Sequence, residues 1–187
     1  MSWQYDYLYV ENYYSAKERK KISEYIEKNH TAIEKFDAVA KDENNVSKKK
    51  TNTLLIEWEK IKNIIGGLES SVHSYNEHNF GYLLSPFNDL SKCLLNVYDS
   101  KNKSEYGWHN DSSRSDIFDI KLTVLANLSD KYTGGKFCLF NGEERVVEEF
   151  KPGALLLFRS YINHKVTPVL SGVRKTLTLL ATGPKLR

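Results

Sequence analysis

The sequence is poor in cysteine, in long apolar runs and in charge of one sign, and each shortage removes a class of protein. Its two cysteines, Cys93 and Cys138, lie in apolar stretches ("KCLLNVY" and "KFCLF") and read as buried thiols. Nothing in that pattern resembles a disulfide framework, so a reducing cytoplasm is the expected compartment. No apolar run approaches the ~20 residues that a spanning helix needs. The opening "MSWQYDYLYV" lacks a basic segment followed by an apolar one, so neither a membrane span nor a signal peptide is expected. A net charge of +3 does not announce a nucleic-acid surface. Internal repeats and low-complexity tracts are absent. What is present is an ordinary globular balance, 40% hydrophobic and 27% charged over 187 residues, enough for one core and too little for two full domains.

The chain changes character along its length. "WQYDYLYV" alternates, placing Trp3, Tyr5, Tyr7 and Tyr9 on one face and Leu8 and Val10 on the other, as in an edge strand. Ser15 is placed to cap a helix through "AKERKKISEYIEKN", whose apolar stripe is Ile22, Tyr25 and Ile26. Residues 41–51 have almost no apolar content and read as a solvated loop, with a substrate-covering lid as the second reading. After the short strand "TLLI", helical spacing at Trp58, Ile61, Ile64, Ile65 and Leu68 predicts one helix that tolerates the pair Gly66–Gly67. From about residue 91 the pattern becomes short apolar runs split by turn residues. The expected fold is therefore α+β and β-rich: a jelly-roll core over 91–187, with an N-terminal strand and helices over 1–90 packed against it, in one domain spanning 1–187.

Histidine is scarce, with five in the chain, yet "YGWHNDSS" sets His109 two residues before Asp111. That is the repeat of a strand, so both side chains would point to one side. A third donor, His164, stands in "GALLLFRSYINHKVTPVLSGVRKTLTLL". If Leu170 to Gly172 form a three-residue turn with Gly172 at positive φ, His164 faces Thr178 and Val166 faces Thr176. His164, Arg174 and Thr176 then share one face. An inward arginine needs an anion, because an unpaired buried charge is very costly, and the adjoining strands supply no matching carboxylate. A ligand's carboxylate is the candidate partner. Two histidines and one carboxylate on a β-scaffold suit non-haem Fe(II), which must keep positions for O2 and a substrate. His30, His73 and His78 lie in helical or polar segments and have no partners of this kind.

His109-x-Asp111, His164 and Arg174, set in "NVYDSKNKSEYGWHND", "LTVLANLSDKYTGGKF", "KPGALLLF" and "HKVTPVLSGVRKTLTLLATGP", resemble the 2-oxoglutarate- and Fe(II)-dependent dioxygenases. The closer likeness is to their prolyl 4-hydroxylase-like branch, over residues 93 to 184. The resemblance implies a double-stranded β-helix holding Fe(II) through His109, Asp111 and His164. It also implies 2-oxoglutarate as co-substrate, O2 as oxidant and ascorbate as a candidate reductant. Arg174 would grip the far carboxylate of 2-oxoglutarate, Thr176 would add a hydroxyl there, and Tyr98 would hydrogen-bond the co-substrate. Ala126 stands where some relatives carry a second co-substrate tyrosine, and the segment from Tyr98 to His109 is longer than the usual pattern.

The implied reaction is hydroxylation of an unactivated C–H bond with release of succinate and CO2. Peptidyl proline is the favoured substrate, with a small molecule or free amino acid, or a methylated nucleobase, as alternatives. A non-catalytic jelly-roll binding a carboxylate or a protein is the third reading. Tyr106, Trp108 and Arg159, together with Tyr161, are the candidate substrate contacts at the mouth. Packing is the competing role for the two aromatic residues beside the metal motif. Gly134 and Gly135 read as a turn into the next strand rather than a phosphate loop. The mild charge disfavours nucleic acid, no membrane contact is expected, and the sequence leaves the oligomeric state open.

Overall fold

The computed structural model describes residues 6–30, 50–88, 91–112, 118–147 and 150–185. Trp3, Tyr5 and all but the last two positions of the predicted 41–51 loop lie outside them. Two antiparallel sheets carry the architecture. The long sheet runs in the order β1 (Tyr7–Val10), β9 (Leu155–Arg159), β5 (Phe118–Asn127), β11 (Val169–Pro184), β3 (Lys92–Asp99), β2 (Asn52–Glu57), with β6 (Tyr132–Gly134) pairing the start of β11. The short sheet runs β4 (Tyr106–His109), β10 (Asn163–Val166), β7 (Phe137–Phe140), β8 (Glu144–Val147). This is a jelly roll, a double-stranded β-helix, and strand alternation divides its apolar residues into two cores.

Outward residues of the long sheet, among them Leu95, Leu122, Val124, Leu157, Leu177 and Leu179, pack under the helices. Inward residues, including Tyr98, Leu125, Leu156 and Phe158, meet Phe137, Leu139 and Val166 of the short sheet. Tyr7 and Tyr9 join the inner core while Leu8 and Val10 join the outer one, the alternation expected of β1. Helix α1 (Ala16–Asn29) begins with a complete capping box. The Ser15 hydroxyl accepts from the Glu18 amide, and the Glu18 carboxylate accepts from the Ser15 amide. Ile22 and Ile26 are its buried stripe.

Two expectations fail here for identifiable reasons. The helix from Trp58 to beyond Leu68 is not continuous. It splits into α2 (Trp58–Ile61) and α3 (Leu68–Asn79), and in the turn between them Gly66 and Gly67 take φ of +57° and +73°, which right-handed helix cannot include. The predicted hairpin joining His164 to Thr178 is also absent. Gly172 does take positive φ (+73°), but it lies within β11 and opposes Tyr132 of β6. β10 pairs β4 and β7, whereas β11 pairs β3 and β5, so Thr167 and Pro168 carry the chain from one sheet to the other. Pro168 has no amide proton to continue a ladder, which favours the crossing at that point.

Candidate metal and co-substrate site

The site is built where the two sheets face each other. His109 ends β4 and pairs in register with His164 of β10, which sets the two imidazoles side by side with ring centroids 4.0 Å apart. Asp111 is not on the strand, contrary to expectation, because β4 stops at His109. Its backbone amide instead donates to the Ser160 carbonyl (2.9 Å), and its carboxylate reaches within 3.5 Å of His164 Nε2. One ligand atom from each of His109, Asp111 and His164 lies within 4.8 Å of the others, close enough for all three to hold one ion. The remaining histidines do not enter this cluster.

Hydrogen bonds fix the ring chemistry. His109 Nδ1 lies 2.7 Å from the Gly107 carbonyl, and His164 Nδ1 lies 3.1 Å from the Ile162 carbonyl. A carbonyl only accepts, so both Nδ1 atoms carry the proton in the neutral rings, and Nε2 is the atom each ring would offer to an ion. His164 is buried against Phe158 and Phe137, at centroid distances of 4.8 and 5.5 Å. Tyr106 stacks flat on His109, with centroids 3.5 Å apart and planes 14° apart. Burial raises the Tyr106 phenol pKa, so it stays protonated through the neutral range.

Thr123 is a residue that sequence reasoning missed. Fully buried on the inward face of β5, its hydroxyl donates to Asp111 Oδ2 at 2.7 Å. A threonine at an inward position of the apolar run "KLTVLANL" was the available signal. Thr123→Val is expected to leave the fold intact and weaken Mn(II) binding by about 10–100-fold, the usual effect of losing an outer partner of a ligand. Titration followed by electron paramagnetic resonance measures this, and unchanged affinity would remove Thr123 from the site.

On the same inner surface Arg174 of β11 is 1% exposed, with its guanidinium carbon 5.1 Å from the Tyr98 ring and 5.7 Å from Phe150. Its Nη1 donates to Thr176 Oγ1 at 3.3 Å, while Nε and Nη2 meet no hydrogen-bond partner among the described residues. A fully buried guanidinium with two idle donors fits an anion that presents two oxygens. Tyr98 faces Arg174 across the β3–β11 ladder, and burial pushes its phenol up to about 12 despite the opposing effect of Arg174. Its hydroxyl is thus a donor at neutral pH. Gly134 and Gly135 form the expected turn, at φ of +71° and +56°. Gly135 also packs on the arginine, since a Cβ there would stand 2.9 Å from Arg174 Cδ.

Two predicted contacts, Trp108 and Arg159, fall elsewhere. Trp108 lies on the outer face of β4, with Lys165 Nζ 4.3 Å from its ring and Phe140 beside it, because alternation turns it away from His109. Arg159 points to the helix side of the long sheet, where Nη1 donates to the Tyr82 hydroxyl (2.6 Å) over the Phe80 and Tyr82 rings. Ala126 is packed in the outer core, so no side chain at that position could reach the inter-sheet space. Tyr161 is exposed.

Residues 93–181, which contain all three clustered donors and Arg174, match the 2OG-Fe(II) oxygenase superfamily. A PKHD-type hydroxylase of Synechococcus sp. (strain CC9605) is 39% identical over 83 residues, covering 43% of this chain and 37% of that protein. The match therefore spans little more than a third of the relative's length. A prolyl-4-hydroxylase of Pseudomonas putida superposes with a TM-score of 0.67 at 15% identity, covering 97% of this chain and 94% of that one. A prolyl hydroxylase of Trichoplax adhaerens, solved with a hypoxia inducible factor peptide fragment, gives 0.66 at 18% identity over 95% of this chain and 83% of that one. These structural likenesses speak for the fold. The sequence match speaks for the family, one named for Fe(II) and 2-oxoglutarate, and the donor set found here suits both. Over residues 93–181, this chain is therefore similar in sequence to the 2OG-Fe(II) oxygenase superfamily and shares its fold.

Proposed function

We propose that the protein is an Fe(II)- and 2-oxoglutarate-dependent dioxygenase that hydroxylates an unactivated C–H bond, with peptidyl proline as the favoured substrate. One observation carries this reading: a His–Asp–His cluster and a buried arginine with idle donors share one inter-sheet space. His109, Asp111 and His164 would hold the iron. Arg174, with Thr176 and the Tyr98 hydroxyl, would hold 2-oxoglutarate. Fe(II), 2-oxoglutarate and O2 together supply oxidative decarboxylation to succinate and CO2 and the insertion of one oxygen into a C–H bond, with ascorbate as a candidate reductant.

The chain's own residues bind, orient and exclude water. Thr123 and the Ser160 carbonyl fix Asp111, the Gly107 and Ile162 carbonyls set both histidine tautomers, and Phe158 and Phe137 keep the His164 ring dry. Arg174 fixes how far the co-substrate enters, because its guanidinium is itself held between aromatic rings. The reading treats 1–187 as one domain, with 1–90 supporting a catalytic core over 91–187. A peptide or small-molecule substrate suits it, and the mild net charge disfavours nucleic acid. The free, buried thiols Cys93 and Cys138 suit a reducing compartment such as the cytoplasm. No helix among the described residues is long and apolar enough to cross a membrane.

Anaerobic protein given Fe(II), 2-oxoglutarate and then oxygen should release succinate, and proline-containing peptides should raise that rate and gain one oxygen. No succinate under any condition defeats the enzyme reading. Stimulation by methylated oligonucleotides or free amino acids, without stimulation by peptides, defeats only the prolyl part.

A further inference from the structure

The two sheets differ in width, and the mismatch leaves part of the inner surface beside the metal ligands with no described strand over it. At one side, β8 of the short sheet lies over β1 of the long one, with the Arg145 guanidinium 5.9 Å from the Tyr7 ring. Four strands therefore face only part of a six-strand row, and β4, which carries His109 and Tyr106, is the opposite edge of the short sheet. No described strand covers the inner face of β2. The leucines there behave accordingly. Leu55 and Leu94, cross-strand partners on that face, and Leu180 of β11 are half-buried and belong to neither core. Leu180 stands opposite Thr123, the residue that holds Asp111, so this apolar floor begins at the metal cluster.

At the foot of the floor sits Asn96 of β3, 7% exposed on the same face as Tyr98. Its Oδ1 accepts from the Thr53 hydroxyl (2.9 Å), and its Nδ2 donates to Thr178 Oγ1 (3.0 Å). A primary amide has two donors and two acceptor lone pairs, and Asn96 uses one of each. What is left is one donor and one acceptor position on an amide that two threonines hold. That pair complements the N–H and C=O of one residue in an extended peptide. Just before β2, Lys50 pairs with Glu105 (2.9 Å) and its amide donates to the Glu105 carbonyl (2.9 Å).

We propose that Asn96 is a specificity-determining residue that reads the main chain of a peptide substrate, while Leu55, Leu94 and Leu180 receive an adjacent apolar side chain. The inference rests on the oxygenase reading above and assigns its substrate contacts to β2, β3 and β11 in place of Trp108 and Arg159. An extended segment fits because it presents both backbone groups without first breaking internal hydrogen bonds.

The test uses the full chain loaded with Mn(II) and 2-oxoglutarate, and a fluorescent, N-acetylated, C-amidated peptide with one proline flanked by leucine and alanine. Fluorescence anisotropy should show binding to the unaltered protein, weakened about tenfold by N96L and by L55D. The same variants should keep Mn(II) and 2-oxoglutarate affinity by calorimetry, and W108A on the outer face should bind the peptide normally. L55D alters a half-exposed position and so stands in if N96L fails to fold. A loaded protein that does not bind the peptide, or variants that bind it equally well, overturns the assignment. A protein that takes neither Mn(II) nor 2-oxoglutarate overturns the oxygenase reading instead.

Discussion

His164→Ala is expected to give a folded protein that retains no iron and releases no succinate. His164 contributes one of the three donors clustered among the described residues, and its Nε2 is set toward the other two by the Nδ1–H bond to Ile162. Losing a donor itself should exceed the 10–100-fold cost of losing an outer partner. The fold should survive, because His164 adds one ring to an inner core that Phe137, Leu139, Leu156 and Phe158 already define. A cavity of that kind costs roughly 2–4 kcal/mol, so Tm should fall without loss of cooperativity. His109→Ala and Asp111→Ala should abolish turnover equally, with smaller losses of Tm because both side chains are only half-buried. Iron content and succinate release measure the first claim, and calorimetric unfolding the second. Near-normal activity in any of the three variants would show that its residue is not a ligand.

Arg174→Met should raise the stability of the ligand-free protein while abolishing its response to 2-oxoglutarate. The guanidinium is buried with Nε and Nη2 unpaired, and an uncompensated buried charge is destabilising by several kcal/mol. A thioether of similar length fills the space between Tyr98 and Phe150 without that penalty. In the unaltered protein, 2-oxoglutarate should raise Tm by supplying the missing anion. Arg174→Lys keeps a charge without the planar fork and should bind more weakly, and Arg174→Ala more weakly still, by roughly tens to thousands of fold. Unaltered 2-oxoglutarate binding in Arg174→Ala would place the co-substrate anchor elsewhere.

The chemistry of the site was legible in the sequence because it depends on residue types that seldom gather by chance. Two histidines, one carboxylate and an inward arginine were found by local spacing and by strand pattern, and the structure brings the three metal-type donors into one cluster. Alternation also determined the faces of β1 and the β-rich second half, and Ser15 marked the start of α1. All of these are effects within a few residues of chain, set by backbone geometry and by the period of each element.

Only the tertiary structure decided which strands became neighbours. The stretch from His164 to Thr178 looks like a hairpin locally, yet it is divided between two sheets. The register of β11 comes from β3 and β5, strands distant in sequence, and long-range burial outweighs the short turn. The same global choice turned Trp108 and Arg159 away from the mouth, placed Thr123 behind Asp111 and set Asn96 between Thr53 and Thr178 on the inner face. Sequence spacing tells which side of its own strand a residue occupies. What lies opposite that side is set by how the sheets stack, since the free energy of burial depends on area hidden from water and not on distance along the chain.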